Sequence, residues 1–370
     1  MTIPIRNLYY LFSYAWAQFP EGDAVEVGID ECPDLQNLFA KVLTNGVHRL
    51  MRRGLDRGYR VHLEETRSPR GRLLMDQIVK EQTLRRGAVI CQYDDLSHDV
   101  LHNQIIKATA RVLSRAPTMG SELAHGLRMI ERAMANVSDV RLSADMFRRV
   151  QLSRHNGQYA VLMRLCEFVF RSTLPEEGGS GARFADVLKD EVRMSRIFEE
   201  FLRNFYRHEQ SQFRVHAGAL QWASAGTTDA VALQYLPRML TDITLTDSER
   251  VIIFDAKFYS KPFKAHHGSP KVSSGNLYQL LTYLQHAARA HARHEVRGGL
   301  IYAAVGEPLS LDYKLLGYPV RVEAVDLMMS WPDIRLTLLS LLHSRPSLAI
   351  APNTGDQSVD EISHHRAPDV

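Results

Sequence analysis

The sequence predicts an α/β domain with a mixed sheet flanked by helices over residues 183–345, preceded by an α+β domain over 1–175. Three observations carry this. Helical spacing dominates the first 175 residues but is interrupted by two short, partly alternating runs. Glycines and a proline crowd into PEEGGSGARF at 175–184, the sharpest break in the chain. Beyond it the pattern becomes helix, strand, strand, helix, strand, helix. At 370 residues the chain is long enough for two such cores.

Leu8, Leu11, Phe12, Ala15, Trp16 and Phe19 recur at helical spacing, which predicts a helix over 5–19 stopped by Pro20. A second is expected over 34–53, built on Leu35, Leu38, Phe39, Val42, Leu43, Val47 and Leu50, with Gly54 behind it. Residues 59–65 and 86–93 read as strands around the turn-rich SPRGR at 68–72. Helical patterns return at 98–115, 119–136 and 157–171. In YDDLSHD, Asp94, Asp95 and Asp99 read as a loop entering a helix, with an Asp or Ser cap. After the break a long amphipathic helix is expected over 186–208. Strands follow over 239–246 and 250–258, joined by a DSE turn at 247–249. A helix over 275–294, a short buried strand over 299–305 and a last helix over 332–344 complete the order. From Pro346 the sequence turns polar and aperiodic, so 346–370 is expected to be a disordered tail.

Composition narrows the class. A hydrophobic content of 45% and a charged content of 24% suit an ordinary soluble globular protein. A net charge of +3 permits a polyanionic partner without requiring one. Cys32, Cys91 and Cys166 lie far apart with no CxxC pair, which fits buried thiols in a reducing cytoplasm. No signal peptide and no apolar run of roughly 18 residues is present, so no membrane is expected. His266, His267, His286, His291 and His294 form no HExxH or Cys/His pattern and read as solvated. GxSxG is absent. So is GxxxxGK[ST], and nucleotide hydrolysis is not expected of this chain.

The chemistry-bearing stretch is LPRMLTDITLTDSERVIIFDAKFY, 236–259. Asp255 and Lys257 follow the apolar run VIIF and, two apart on a strand, point to one face. A carboxylate and an ammonium leaving a buried strand are costly unless they pair or meet a ligand. A hairpin would bring Asp242 alongside. Two carboxylates and the Ala256 carbonyl then offer hard oxygen ligands for Mg²⁺, with Mn²⁺ as a substitute. Such a metal activates water and offsets charge on a scissile phosphate, and Lys257 would orient or deprotonate that water. The competing reading is a salt-bridged hairpin edge. Gln279 and Tyr283 stand at i and i+4 on one helix face, placed to hold a phosphate and orient the lysine, or else to form a solvated flank. Leu277, Leu280, Leu281 and Leu284 supply that helix's buried side. On the long helix upstream, Glu199 or Glu200 could face the site as a ligand or base, or both could be solvated.

The order carboxylate-bearing helix, Asp, Asp-x-Lys, Gln-x-x-x-Tyr resembles the PD-(D/E)xK nuclease superfamily, in particular its RecB-like branch. From about Ile3 to Leu342 the chain is also similar to the McrC family, nuclease subunits of modified-cytosine restriction. IPIRNLYYLFSYAW, RGRLL, NQIIKATARVL, LPRMLTDITL, IFDAKFY and NLYQLLTYL carry that resemblance. It implies catalytic positions at Asp242, Asp255 and Lys257 and supporting ones at Gln279 and Tyr283. Glu199 takes a looser helix position. One departure is plain: the first motif usually reads Pro-Asp, and here Thr241 precedes Asp242.

The resemblance also implies that the first half docks, through a β-rich projection at about 56–95, on a hexameric AAA+ GTPase, McrB, and stimulates its turnover. GTP would then act only through that partner. The substrate would be double-stranded DNA bearing modified cytosine, and the reader of the mark would belong to the partner. Basic pieces such as RRGLDRGYR and SPRGR fit phosphate contacts or a solvated face equally well. Two other functions stay open from sequence: a nuclease of the same chemistry working alone in repair or recombination, and an idle adaptor that only activates an AAA+ ring.

Overall fold

A computed structural model describes residues 3–16, 32–173, 188, 190–222, 235–259, 264–266, 269–306 and 308–343. The first half holds α1 (Ile5–Ala15), α2 (Leu35–Arg53), β1 (Gly58–Thr66), β2 (Arg72–Leu73), α3 (Met75–Lys80), β3 (Val89–Ser97), α4 (Leu101–Ser114), α5 (Ser121–Ala133), α6 (Ala144–Arg149) and α7 (Ala160–Ser172). Asp34 caps α2 by accepting the Asn37 N–H at 2.8 Å, and Gly54, with φ of 90°, ends it. Strands β1, β3 and β2 form a small antiparallel sheet. Almost every β1 side chain is exposed or only half-buried, Tyr59, Val61 and Leu63 among them.

The second half holds α8 (Glu191–Glu209), β4 (Arg214–His216), β5 (Ala219–Leu220), β6 (Met239–Leu240), β7 (Ile243–Thr246) and β8 (Arg250–Phe258). Then come β9 (Lys264–His266), β10 (Ser269–Lys271), α9 (Ser274–Ala290), β11 (Glu295–Ala304), β12 (Leu309–Leu315), β13 (Tyr318–Asp326) and α10 (Trp331–Ser340). Six strands form a mixed sheet in the order β12-β13-β11-β8-β7-β4. β8 and β13 both run parallel to the central β11, and the other pairs are antiparallel. A parallel β8–β11 pair needs a crossover, and α9 supplies it.

Helices cover both faces, so β8 is apolar on both, as VIIF implied. Ile252, Phe254, Ala256 and Phe258 join the core that holds α8, while Val251 and Ile253 pack with Leu280, Leu284 and Ala287 of α9. The α8 core extends past the sheet into the first half. Tyr10 of α1 stacks on Trp331 with ring centroids 4.3 Å apart, and Tyr14 meets Phe201 and Phe205 edge-on or tilted. Asn204 donates to the carbonyls of Tyr14 and Ala15 at the end of α1. By packing, α1 therefore backs the large sheet although 175–184, the expected division, lies between them and outside the described residues.

Several local expectations need correction. The helix expected over 5–19 is described only to Ala15, and Pro20 lies outside the described residues. Residues 83–86 form a 3-10 turn ended by Gly87 at φ 66°, so the second strand begins at Val89 and runs to Ser97. Asp94 and Asp95 therefore lie in β3, not in a loop. Asp99 caps no helix; it ties the corner together by binding Arg60, Gln104 and Ser138. The strand expected over 239–246 breaks at Thr241–Asp242 into β6 and β7. All three cysteines are buried, and Cys91 and Cys166 are free thiols. No helix of the described residues is long and apolar enough to cross a membrane, and the tail after His343 lies outside them.

Candidate active site

The site forms where β7 stops short. β7 pairs with β8 from Thr246↔Val251 to Ile243↔Phe254, and the next residues of β8 have no strand partner on that side. The chain turns away there, and Asp242 occupies the gap: its Oδ2 accepts the Ala256 N–H at 2.9 Å. A strand residue's N–H and C=O face the same neighbour, so the Ala256 carbonyl is turned to this open edge as well.

The turn itself is held by Thr241. Its N–H donates to the Gly218 carbonyl at 2.9 Å, and its Oγ accepts the Gly218 N–H at 2.9 Å and lies 2.7 Å from the Thr244 Oγ. A Cβ at Gly218 would stand 3.0 Å from one hydroxyl and 3.1 Å from the other, so any larger residue would press on the clamp. In place of the ring constraint that a proline would give, this chain uses a hydrogen-bonded clamp. Arg203 of α8 adds a further hold, its Nε donating to the Asp242 carbonyl at 2.9 Å. Spacing could have pointed to Arg203, one helical turn after Glu199; nothing local marked Thr241 as the clamp.

Asp255 and Lys257 share the α9 face of β8, as their spacing required. Lys257 Nζ lies 2.8 Å from Asp255 Oδ2 as an ion pair, with Asp255 1% exposed. Asp255 Oδ1 is buried without a hydrogen-bond partner among the described residues. Burial pushes Asp255 up to about 6, against the pull of Lys257 and with help from the Asp242 charge. Asp242 is raised by burial too, partly offset by the Ala256 N–H and Lys257. Burial would lower Lys257, but Asp255 and Asp242 outweigh it and hold its ammonium above the usual range.

From the lysine a polar chain leads into α9. Lys257 Nζ approaches Gln279 Oε1 at 3.5 Å, and Gln279 Nε2 donates to the Tyr283 hydroxyl at 2.8 Å. Tyr283 is not on a solvated flank; it is buried beside Leu280 and Leu284, while Gln279 is exposed. The two carboxylates of α8 separate as well. Glu200 is exposed, whereas Glu199 is half-buried and raised to about 7 by burial, then by the Asp242 charge, with Lys257 and Arg203 opposing. Behind the lysine, Asn276 donates to the buried Tyr302 hydroxyl at 2.9 Å.

Asp242, Asp255 and Lys257 thus converge at one strand edge, with Glu199, Gln279 and Tyr283 around them. Among the described residues no three His, Cys, Asp or Glu side chains make a finished metal cage. A pair of carboxylates, one with an unpartnered buried oxygen, and a carbonyl suit a hard cation that keeps several of its waters, as Mg²⁺ does.

Fold and site together define a mixed-sheet α/β protein with two acids and a lysine gathered at an open strand edge. The chain belongs to the family described as McrBC 5-methylcytosine restriction system component, whose model matches residues 5–303. It is thus a component of a McrBC-type restriction system. It is 30% identical over 340 residues to the type IV methyl-directed restriction enzyme EcoKMcrBC of Escherichia coli K12, covering 92% of this chain and 97% of that one. The McrC-containing half-complex from a tetradecameric assembly of Thermococcus gammatolerans McrB AAA+ hexamers superposes with a TM-score of 0.57. That match has 17% identity and covers 91% of this chain and 76% of the other, a likeness of fold.

Proposed function

We propose that this chain is the metal-dependent endonuclease subunit of a GTP-dependent restriction complex that hydrolyses phosphodiester bonds in double-stranded DNA carrying modified cytosine. The observation that carries the reading is the convergence of Asp242, Asp255 and Lys257 at the one edge of β8 that β7 leaves open. In this reading the domain over 183–345 has the PD-(D/E)xK nuclease fold. A salt-bridged edge alone accounts less well for the arrangement, because a pair this deep costs desolvation and Asp255 Oδ1 is left without a partner among the described residues.

Asp242, Asp255 and the Ala256 carbonyl would hold Mg²⁺ or Mn²⁺. When bound, the cation lowers the pKa of a coordinated water and offsets charge on the scissile phosphate. Lys257 orients that water and stabilises developing negative charge. Gln279 aligns the lysine, and Tyr283 fixes the glutamine. Glu199, held near 7, can accept a proton close to neutral pH.

Partner docking is assigned to residues 1–175, with the β1–β3 projection as the contact. Its exposed Tyr59, Val61, Leu63 and Leu96 have no cover among the described residues, which suits a surface completed by another protein. The partner proposed is a hexameric McrB-like AAA+ GTPase, which supplies GTP hydrolysis and recognition of the modified base and is stimulated by this chain.

The test is cleavage of a methylcytosine-bearing duplex by the intact chain with its GTPase partner, GTP and Mg²⁺. The wild-type chain is expected to cut and Asp255→Asn to leave the duplex intact while still raising the partner's GTPase rate. Full cutting by Asp255→Asn would overturn the catalytic assignment. Efficient, site-selective cutting by the chain without the partner would favour a nuclease that works alone.

A further inference from the structure

The two faces of the β1–β3 projection are unlike. Side chains alternate along β1, and the even-numbered ones find partners within the projection or at its root. Arg60 pairs with Asp99, His62 stacks on Tyr93, and Glu64 holds Arg70, whose guanidinium lies over the Tyr93 ring. On the other face Tyr59, Val61 and Leu63 are exposed, and Leu96, paired directly with Tyr59, carries the apolar stripe onto β3.

Beside the root of that stripe the charge is one-sided. Between Asp34 and Glu64 the only carboxylate is Asp56, whereas the same 29 residues hold Lys41 and five arginines. Asp56 is already occupied: Oδ1 accepts the Arg57 N–H at 3.0 Å, and Oδ2 meets Asn156 Nδ2 at 2.8 Å and His102 Nε2 at 2.9 Å. Arg52, Arg53 and Arg57 are exposed, and none of the three is in an ion pair among the described residues. Arg53 donates to Gln158 Oε1 and Arg57 to His98 Nε2, each at 3.1 Å. Gln158 lies next to the loop that supplies Asn156, and His98 directly follows β3, so the arginines stand on both sides of the root.

We infer that Arg52, Arg53 and Arg57 form a basic collar that meets carboxylates of the partner ring when the Tyr59–Val61–Leu63–Leu96 stripe docks on it. This rests on the proposed docking of the projection and adds the chemistry of the surface it meets, apolar at the centre and acidic at the rim. An apolar centre bordered by tyrosine and arginine is the usual anatomy of a contact between proteins. Duplex DNA would answer the arginines and leave the stripe uncovered. A second copy of this chain would present the same arginines without carboxylates to meet them. Exposed rim charges act on encounter and are screened by salt, whereas the apolar stripe sets how long the complex lasts.

The experiment mixes the intact chain with its GTPase ring over a salt series and reads association rate, dissociation rate and GTPase stimulation. Arg52→Gln/Arg53→Gln/Arg57→Gln is expected to associate about tenfold more slowly at low salt and to lose most of the wild-type salt dependence. At saturating concentration it should still reach the wild-type maximal stimulation. Tyr59→Ala/Leu63→Ala should instead dissociate faster at every salt concentration. Arg128→Glu/Arg132→Glu, at exposed positions of α5, changes net charge at least as much and should associate within about twofold of the wild type. Melts of each variant show that the fold is kept. An unchanged rate and salt dependence in the glutamine variant would overturn the collar, and faster dissociation of the stripe variant would then leave docking in place. Equal slowing of the α5 control would reduce the effect to net charge and overturn the collar too. So would a glutamine variant that keeps the ring and loses binding to duplex DNA. If the wild-type chain bound no ring, docking and collar would fall together.

Discussion

The Asp242 carboxylate accepts the N–H of Ala256 at 2.9 Å, so one acid of the site caps the open edge of the strand from which the other, Asp255, projects. The bond joins fold to chemistry, and the two can be separated. Asn at 242 keeps an oxygen acceptor for the Ala256 N–H and loses only the charge. Asp242→Asn should therefore fold normally and cleave on the order of a hundredfold more slowly, or worse. Asp242→Ala should lose cleavage and also about 1–3 kcal/mol of stability, because a buried N–H is left unpaired. Denaturant melts alongside cleavage rates check both; equal stability of the two variants would mean that the Asp242 cap adds nothing to the edge of β8.

Lys257→Ala should reduce cleavage on the same scale while leaving the carboxylates to hold the cation. Mg²⁺ or Mn²⁺ should support turnover. Ca²⁺ should bind without it, because the larger ion polarises its water less. Cleavage that continues undiminished in excess chelator would remove the metal from the mechanism.

Glu199 lies at about 7 rather than its ordinary 4.5, by burial first and the Asp242 charge second, and Asp255 lies at about 6. An acid raised in the folded state binds more protons there than in the unfolded chain. Its contribution is fully present below the unfolded value and is lost as pH rises through the folded one. Metal-free protein should thus lose stability from about pH 4 to about pH 7. Glu199→Gln should flatten the upper part of that fall. Melting in chelator across this range tests it, and an unaltered slope in the variant would show that Glu199 does not titrate there.

Thr241→Pro would install the more usual Pro-Asp pair and yet should destabilise this chain. Proline cannot donate to the Gly218 carbonyl, and the hydroxyl that meets Gly218 and Thr244 goes with the threonine. Three lost hydrogen bonds, at about 0.5–1.5 kcal/mol each, suggest on the order of 2–4 kcal/mol. A Thr241→Pro protein that melts at or above the wild-type temperature would mean that the clamp contributes nothing.

α1 should be required by the second half. A fragment beginning at residue 183 exposes Phe201, Phe205 and Trp331, which Tyr10 and Tyr14 cover in the intact chain. It is expected to melt without cooperativity, and a peptide spanning 3–16 added in trans should restore a cooperative transition. Cooperative melting of the fragment alone would show that α1 is only an accessory.

Local pattern was enough for much of this protein. Strand β8 runs over the residues that VIIF and its flanks marked, and period two put Asp255 and Lys257 on one face. Spacing of i and i+4 placed Gln279 within a hydrogen bond of Tyr283. The hairpin β12–β13, absent from the elements expected above, also has a local signal, in the alternation of Leu309, Leu311, Tyr313 and Leu315 before a turn in which Leu316 and Gly317 take positive φ. β4, β5, β9 and β10 are too short for a period to emerge.

What the sequence by itself determined was which faces are apolar and which polar groups share a face, because a strand or helix repeats within a few residues. Tertiary structure alone decided where β7 stops, that Asp242 fills the gap, that Glu199 is half-buried while Glu200 is exposed, and that α1 seats α8 from across the expected division. Each of these depends on which distant segment comes to lie alongside. Periodicity carries no record of that choice, since the partner is selected by packing and hydrogen-bond completion over the whole chain.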